Sequence, residues 1–150
     1  PQVIIAGERD LDEDYTQTGE DLIHDEGLEE LVSLPGFVPA EDLPALYHVS
    51  DVFVVPSLEE GFGMTAIEAM AAATPVVGTH VGGLPELIQP GIPGELVDPG
   101  AVEQLAKAIS ELLSNELVRE AVAEKVRDRA SEFSWTAIGG RFEEVYQEID

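Results

Sequence analysis

The residues most able to do chemistry lie between Pro56 and Leu87, in the run PSLEEGFGMTAIEAMAAATPVVGTHVGGLPEL. Glu59 and Glu60 stand beside Gly61 and Gly63, and a third carboxylate, Glu68, follows eight residues after Glu60. The segment from Thr65 to Ala73 is rich in Ala, Met and Glu and reads as a helix. The first turn of a helix leaves its amides without internal partners, so those of Phe62, Gly63, Met64 and Thr65 should be free. With the helix dipole they favour an anion, and a phosphate fits. Gly61 and Gly63 let the backbone approach it closely. Eight residues at about 100° each leave Glu68 rotated by only about 80° from Glu60, so both can border one cleft. Carboxylates beside a phosphate site are poor phosphate ligands but good acceptors for sugar or ribose hydroxyls. On spacing alone a second reading carries equal weight, with Glu59 and Glu60 as solvated loop charges and Glu68 as an exposed helix residue.

The elements that must hold these groups can be read from the flanks. Val52 to Val55 is an apolar run of the buried parallel-strand type, and Pro75 to Val77 opens another. Strand, glycine loop, helix, strand is the unit that places a loop at the carboxyl edge of an open α/β sheet, where such sheets bind ligands. The expected fold class is α/β, a Rossmann-like, mostly parallel sheet flanked by helices, with a helical C-terminal tail. Gln2–Gly7 reads as a strand, Glu8–Gly19 as an acidic surface loop, and Glu20–Val32 as a helix broken near Gly27, with His24 exposed. Ser33–Val38 reads as a short strand and turn. A helix is expected from near Glu41 to Ser50, with Leu43, Leu46, Tyr47 and Val49 on its buried side and His48 in a structural role. Leu84–Ile88 gives one or two helical turns, Pro90–Gly94 a turn and Gly94–Val97 the last strand. Leu105, Ala108, Ile109 and Leu112 mark an amphipathic helix over Ala101–Leu113. A second helix follows over Asn115–Phe133, and Ser134 caps a third, Trp135–Ile149.

The ordered motifs resemble glycosyltransferase family four, retaining enzymes of GT-B fold. Glu60-Gly-Phe-Gly-Met-Thr-Ala-Ile-Glu68 matches the family's pair of glutamates with seven residues between them. Pro56-Ser57, Glu68-Ala69-Met70-Ala71, Thr74-Pro75-Val76-Val77 and Gly82-Gly83-Leu84-Pro85-Glu86 match its flanks. Gly36-Phe37-Val38, Gly94-Glu95-Leu96-Val97-Asp98-Pro99 and Phe133-Ser134-Trp135 extend the resemblance over nearly the whole chain. Ala73 departs from it, since the family usually has Gly there, and implies a small residue at a tight helix end.

The resemblance implies a carboxyl-terminal donor-binding domain over 1–150, lacking its first βα unit and a separate acceptor-binding domain. It implies a hexosyltransferase-type activity in the parent, with a nucleotide-diphosphate sugar as donor, and a chain that is inactive alone. Glu60 would contact the donor sugar and Glu68 the ribose. The amides from Phe62 to Thr65 would hold the diphosphate, Gly82 and Gly83 would face the donor cleft, and Phe37, Val38 and Pro39 would lie against the base. Without the resemblance, that last stretch reads equally as a plain hydrophobic turn. No metal and no cofactor are implied. Trp135, Phe142 and Tyr146 would either dock on the absent domain or pack on this one. The missing strand would leave open sheet edges, so self-association is an expectation. Arg9 is not assigned to the diphosphate. Other readings are a nucleotide-sugar-binding or structural fragment without activity, and another GT-B enzyme such as an epimerase or phosphorylase.

Composition sets bounds on these readings. Asp and Glu number 31 against 7 Lys and Arg, a net charge of −24. Such a surface repels nucleic acid and anionic lipid. The apolar runs are too strong for a disordered chain, and the charges are dispersed. An acidic, lysine-poor surface on an ordinary core points to a halophilic protein in a high-salt cytoplasm. The parent is expected in the cytoplasm, or at the inner face of the membrane. The chain has no cysteine, which fits a reducing compartment. No apolar run approaches the roughly 18 residues of a transmembrane segment. The three isolated histidines argue against a histidine metal site, and a start at Pro1 leads one to expect upstream sequence.

Overall fold

A computed structural model of the chain describes residues 1–8, 13–89 and 94–149. It has two compact units, Pro1–Leu43 and Pro44–Asp150.

The first unit pairs β1 (Val3–Ala6) with β2 (Val32–Gly36) in parallel, Val3 opposite Val32. Between them runs α1 (Glu13–Asp25). The helix thus begins seven residues before the Glu20 expected from the sequence, and residues 9–12, with Arg9, lie outside the described residues. Its early start has a local cause. Glu13 and Asp14 fill the first turn, where the dipole favours carboxylates. The Gln17 amide donates to Asp21 one turn on, at 2.8 Å. The helix ends at Asp25 and does not resume to Val32 as expected; at the predicted break, Gly27 (φ +65°), the amide donates to the His24 carbonyl while that of Leu28 reaches Ile23. His24 is exposed and bonded to Glu29 at 2.8 Å.

In the second unit β3 (Phe53–Val55), β4 (Val76–Thr79) and β5 (Gly94–Val97) form a parallel sheet in that order, with Phe53 opposite Val76 and Val76 opposite Gly94. Central β4 is buried along its length, as its Val-Val-Gly-Thr sequence requires of a strand covered on both faces. Around the sheet run α2 (Leu43–Val49), α3 (Met64–Ala71), α4 (Leu84–Leu87), α5 (Val102–Ser114), α6 (Glu116–Ser131) and α7 (Trp135–Ile149). Val77, Val97 and Ala108 form a core cluster, closed by Val52, Leu105, Ile109 and Leu112. The α5 stripe therefore packs as its spacing predicts. α3 lies along α6, and small side chains, Ala66 and Ala69 on one helix and Ala130 on the other, are buried. Of the apolar side expected for α2, Tyr47 is buried, but Val49 is exposed, as is His48. Residues 90–93, most of the expected turn before β5, lie outside the described residues.

Helix α3 ends in a Schellman arrangement. The Ala73 amide donates to the Met70 carbonyl and that of Thr74 to Ala69, both at 2.9 Å. This turn needs a left-handed residue, and Ala73 takes it at φ +67°. It is the one non-glycine residue with positive φ among the described residues. The departure at Ala73 is thus a strained alanine at a glycine position.

Candidate donor site

Parallel strands bring the loops after β3 and β4 to the same sheet edge, and the stretch from Glu60 to Gly63 meets Gly82 and Gly83 there. Glu60 folds back on its own loop. Its Oε1 accepts from the Gly63 amide at 3.1 Å, and its Oε2 accepts from the Ser57 hydroxyl at 3.4 Å. It therefore serves as the carboxylate at the start of α3. This corrects one expectation, because the Gly63 amide is taken by Glu60. The amides of Phe62, Met64, Thr65 and Ala66 have no acceptor among the described residues, and the first internal bond of the helix runs from Ile67 to Gly63 at 3.1 Å. Gly63 itself is left-handed, at φ +87°, and a Cβ there would stand 2.9 Å from Leu84 and 3.0 Å from Leu87. Both leucines are fully buried in α4, so only glycine fits.

Gly82 and Gly83 lie directly on this loop. The Gly83 amide donates to the Gly61 carbonyl at 3.1 Å. A Cβ on Gly82, at φ +51°, would fall 1.6 Å from the Glu60 carbonyl oxygen. The two loops thus touch backbone to backbone, and the glycine pair fixes the shape of the stretch from Glu60 to Phe62.

Glu68 is exposed on α3, one of the outcomes the spacing allowed, but it is held. Its Oε2 accepts from the Tyr47 hydroxyl at 3.0 Å. Tyr47 is 6% exposed and meets Phe53 edge-on at 5.3 Å. Its backbone carbonyl accepts from the buried Thr74 hydroxyl at 2.7 Å. Burial, then the hydrogen bond and charge of Glu68, push its phenol up to about 12. The hydroxyl therefore stays a donor across the neutral range.

Two further residues brace the site. Arg129, near the end of α6, donates to the carbonyls of Glu86 and Leu87 at the end of α4 and pairs with Glu132. Its guanidinium lies 4.8 Å over the ring of Phe133, which meets Phe62 of the glycine loop edge-on at 6.0 Å. Arg129 was missed by sequence reasoning. The available signal was a basic residue four positions before an aromatic at a helix end, where exposed carbonyls attract cations. Phe37 and Val38 follow β2 in the first unit, Phe37 exposed and Val38 half-buried. Ser134 accepts from the Ala137 amide at 3.2 Å and starts α7 as expected. Trp135, at 89% exposure, Phe142 and Tyr146 are all exposed, so none of the three joins the core of the described residues. No helix among the described residues is long and apolar enough to cross a membrane.

An α/β domain of parallel strands, with a glycine loop that opens a helix, one glutamate on the loop and a second on the helix, is the carboxyl-terminal type of GT-B domain. Residues 1–129 match the family described as Glycosyl transferases group 1, and the chain belongs to that family. It is 37% identical over 129 residues to a D-inositol 3-phosphate glycosyltransferase of Corynebacterium kroppenstedtii, covering 86% of this chain and 29% of that protein. A glycosyltransferase of Methanocaldococcus jannaschii is 37% identical over 147 residues, 97% of this chain and 37% of that one. The chain thus spans about a third of the length of these relatives. Among solved structures, sucrose-phosphate synthase from Thermosynechococcus elongatus superposes with a TM-score of 0.86 at 32% identity, over 99% of this chain and 38% of that one. Anabaena HepE, solved in complex with UDP, superposes with a TM-score of 0.89 at 29% identity, over 98% of this chain and 41% of that one. HepE has also been solved with UDP-glucose.

Proposed function

We propose that the protein transfers a hexose, with retention, from a nucleotide-diphosphate sugar to an acceptor, and that this chain is its donor-binding domain. The observation that carries the reading is the open start of α3, where the amides of Phe62, Met64, Thr65 and Ala66 have no acceptor among the described residues, with Glu60 in the loop before it and Glu68 on the helix. The diphosphate sits on those amides, which also stabilise the charge that develops as the phosphate leaves. Glu68 accepts from the ribose hydroxyls. Glu60 accepts from the donor sugar with the carboxylate capacity left beside its bonds to Gly63 and Ser57. The departing phosphate deprotonates the acceptor, so no protein nucleophile is needed. A parent with the relatives' length would supply the acceptor-binding half. Complexes of HepE with UDP and UDP-glucose support a nucleotide-sugar site on this fold.

Calorimetric titration with uridine and guanosine diphosphates tests the site. Binding at millimolar or tighter affinity that Glu68→Ala abolishes supports it, and binding indifferent to Glu68 refutes it. Nuclear magnetic resonance of the first-formed product of the full-length protein then reads the anomeric outcome.

A further inference from the structure

We propose that Tyr47 is a positioning residue of the donor site, which sets the Glu68 carboxylate so that it discriminates for a ribose bearing its hydroxyls. The inference rests on the donor-site reading above and adds to it a residue that touches no substrate.

An exposed glutamate on a helix surface samples several rotamers, and binding a diol must freeze them. Glu68 has that freezing built in. The Tyr47 hydroxyl donates to Oε2 at 3.0 Å, while Oε1 has no partner among the described residues. The donor is itself immobile. The Tyr47 ring is buried, set edge-on against Phe53 of β3 at 5.3 Å, and the backbone behind it is tied to Thr74, just beyond α3, at 2.7 Å. Glu68 is thereby referenced to the strand that delivers the glycine loop and to the C-terminal end of α3. A phenol that bonds only to an exposed carboxylate does little for the fold, because solvent can replace it at that carboxylate. Its consequence is the direction in which the remaining acceptor lone pairs point. A tyrosine also sends no second charge into the site, so the carboxylate keeps its negative charge, and Oε1 stays open to hydroxyl donors.

The experiment is a titration of the full-length protein with UDP and GDP and with the dideoxyribose analogue of each. Wild type should bind the natural nucleotide more tightly than its analogue. Tyr47→Phe, which removes one oxygen and leaves the buried ring, should weaken the natural nucleotide by about 3- to 10-fold, the cost of ordering one rotamer-rich side chain on binding. It should leave the affinity for the dideoxy analogue unchanged. Equal weakening of both ligands would mean that the hydroxyl supports the fold alone, and would overturn the proposal, as would no weakening of either. A wild type that binds neither diphosphate, or whose binding survives Glu68→Ala, would overturn the donor-site reading itself and this inference with it.

Discussion

The ring of Phe62, in the glycine loop, meets the ring of Phe133, beyond the end of α6, edge-on at 6.0 Å. Edge-to-face pairs at this separation contribute about 0.5–1.5 kcal/mol beyond the area they bury. Through Phe133 the loop is joined to Arg129, whose guanidinium covers that ring and holds the last carbonyls of α4. The loop is thus braced by a helix far along the chain.

Removing the brace should be costly. Arg129 has a side chain only 14% exposed, and Arg129→Ala leaves two carbonyls without their cation and one face of Phe133 bare. A loss of about 2–3 kcal/mol is expected, read from the urea midpoint. Arg129→Lys should recover little of it, since one ammonium cannot reproduce a fork that reaches carbonyls and a ring together.

Ala73 is a site for stabilisation. Its left-handed φ of +67° costs an L-residue about 1–2 kcal/mol. Glycine relieves that strain but adds freedom to the unfolded chain, an opposing effect of about 0.4–1 kcal/mol. Ala73→Gly should therefore raise stability by roughly 0.5–1 kcal/mol, seen as a higher melting temperature. A lower melting temperature would show that the turn has relaxed around alanine.

Gly82→Ala should disrupt the site. Its Cβ would fall 1.6 Å from the Glu60 carbonyl oxygen, at a φ that alanine resists. The loops must separate, at a cost of about 2–4 kcal/mol, and nucleotide affinity should drop while circular dichroism keeps its helical signal. A variant binding as wild type does would show that the contact is dispensable.

Tyr47 should leave a mark at alkaline pH. Its phenol is raised from the ordinary 10.0 to about 12 in the folded chain. Below about pH 10 it is protonated in both folded and unfolded states. Between about pH 10 and about pH 12 the unfolded chain gives up the proton first, so stability falls as pH rises. Tyr47→Phe should flatten that part of the decline, measured as urea midpoints at about pH 9 and about pH 11.5.

The net charge of −24 makes salt a test of the proposed high-salt setting. Self-repulsion of exposed carboxylates is screened within about 3 Å at molar salt. The melting temperature should rise between about 0.1 M and about 2 M KCl, and one that stays level would remove that proposal.

The sequence by itself determined what is local or periodic. The apolar start of β4, Pro75-Val76-Val77, and the Leu105–Leu112 stripe of α5 declared their elements, because burial on two faces and burial on one stripe leave different spacings. The glycine loop and its two glutamates were legible because free helix amides need no distant partner. Where α1 begins was not read, because an acidic run suits a loop and a helix start alike. Only the tertiary structure decided what the glutamates do at rest. Gly82, expected to face the donor cleft, lies so close to the Glu60 backbone that it also sets the shape of the loop. Glu60 takes an amide that the sequence left free, and Tyr47, expected only to fill a core, lends its hydroxyl to Glu68. Arg129 and Phe133 brace Phe62 from about seventy residues away in sequence. A contact at such a separation has no periodicity to announce it. It exists only once parallel strands have brought their loops to one edge and α6 has been laid along α3.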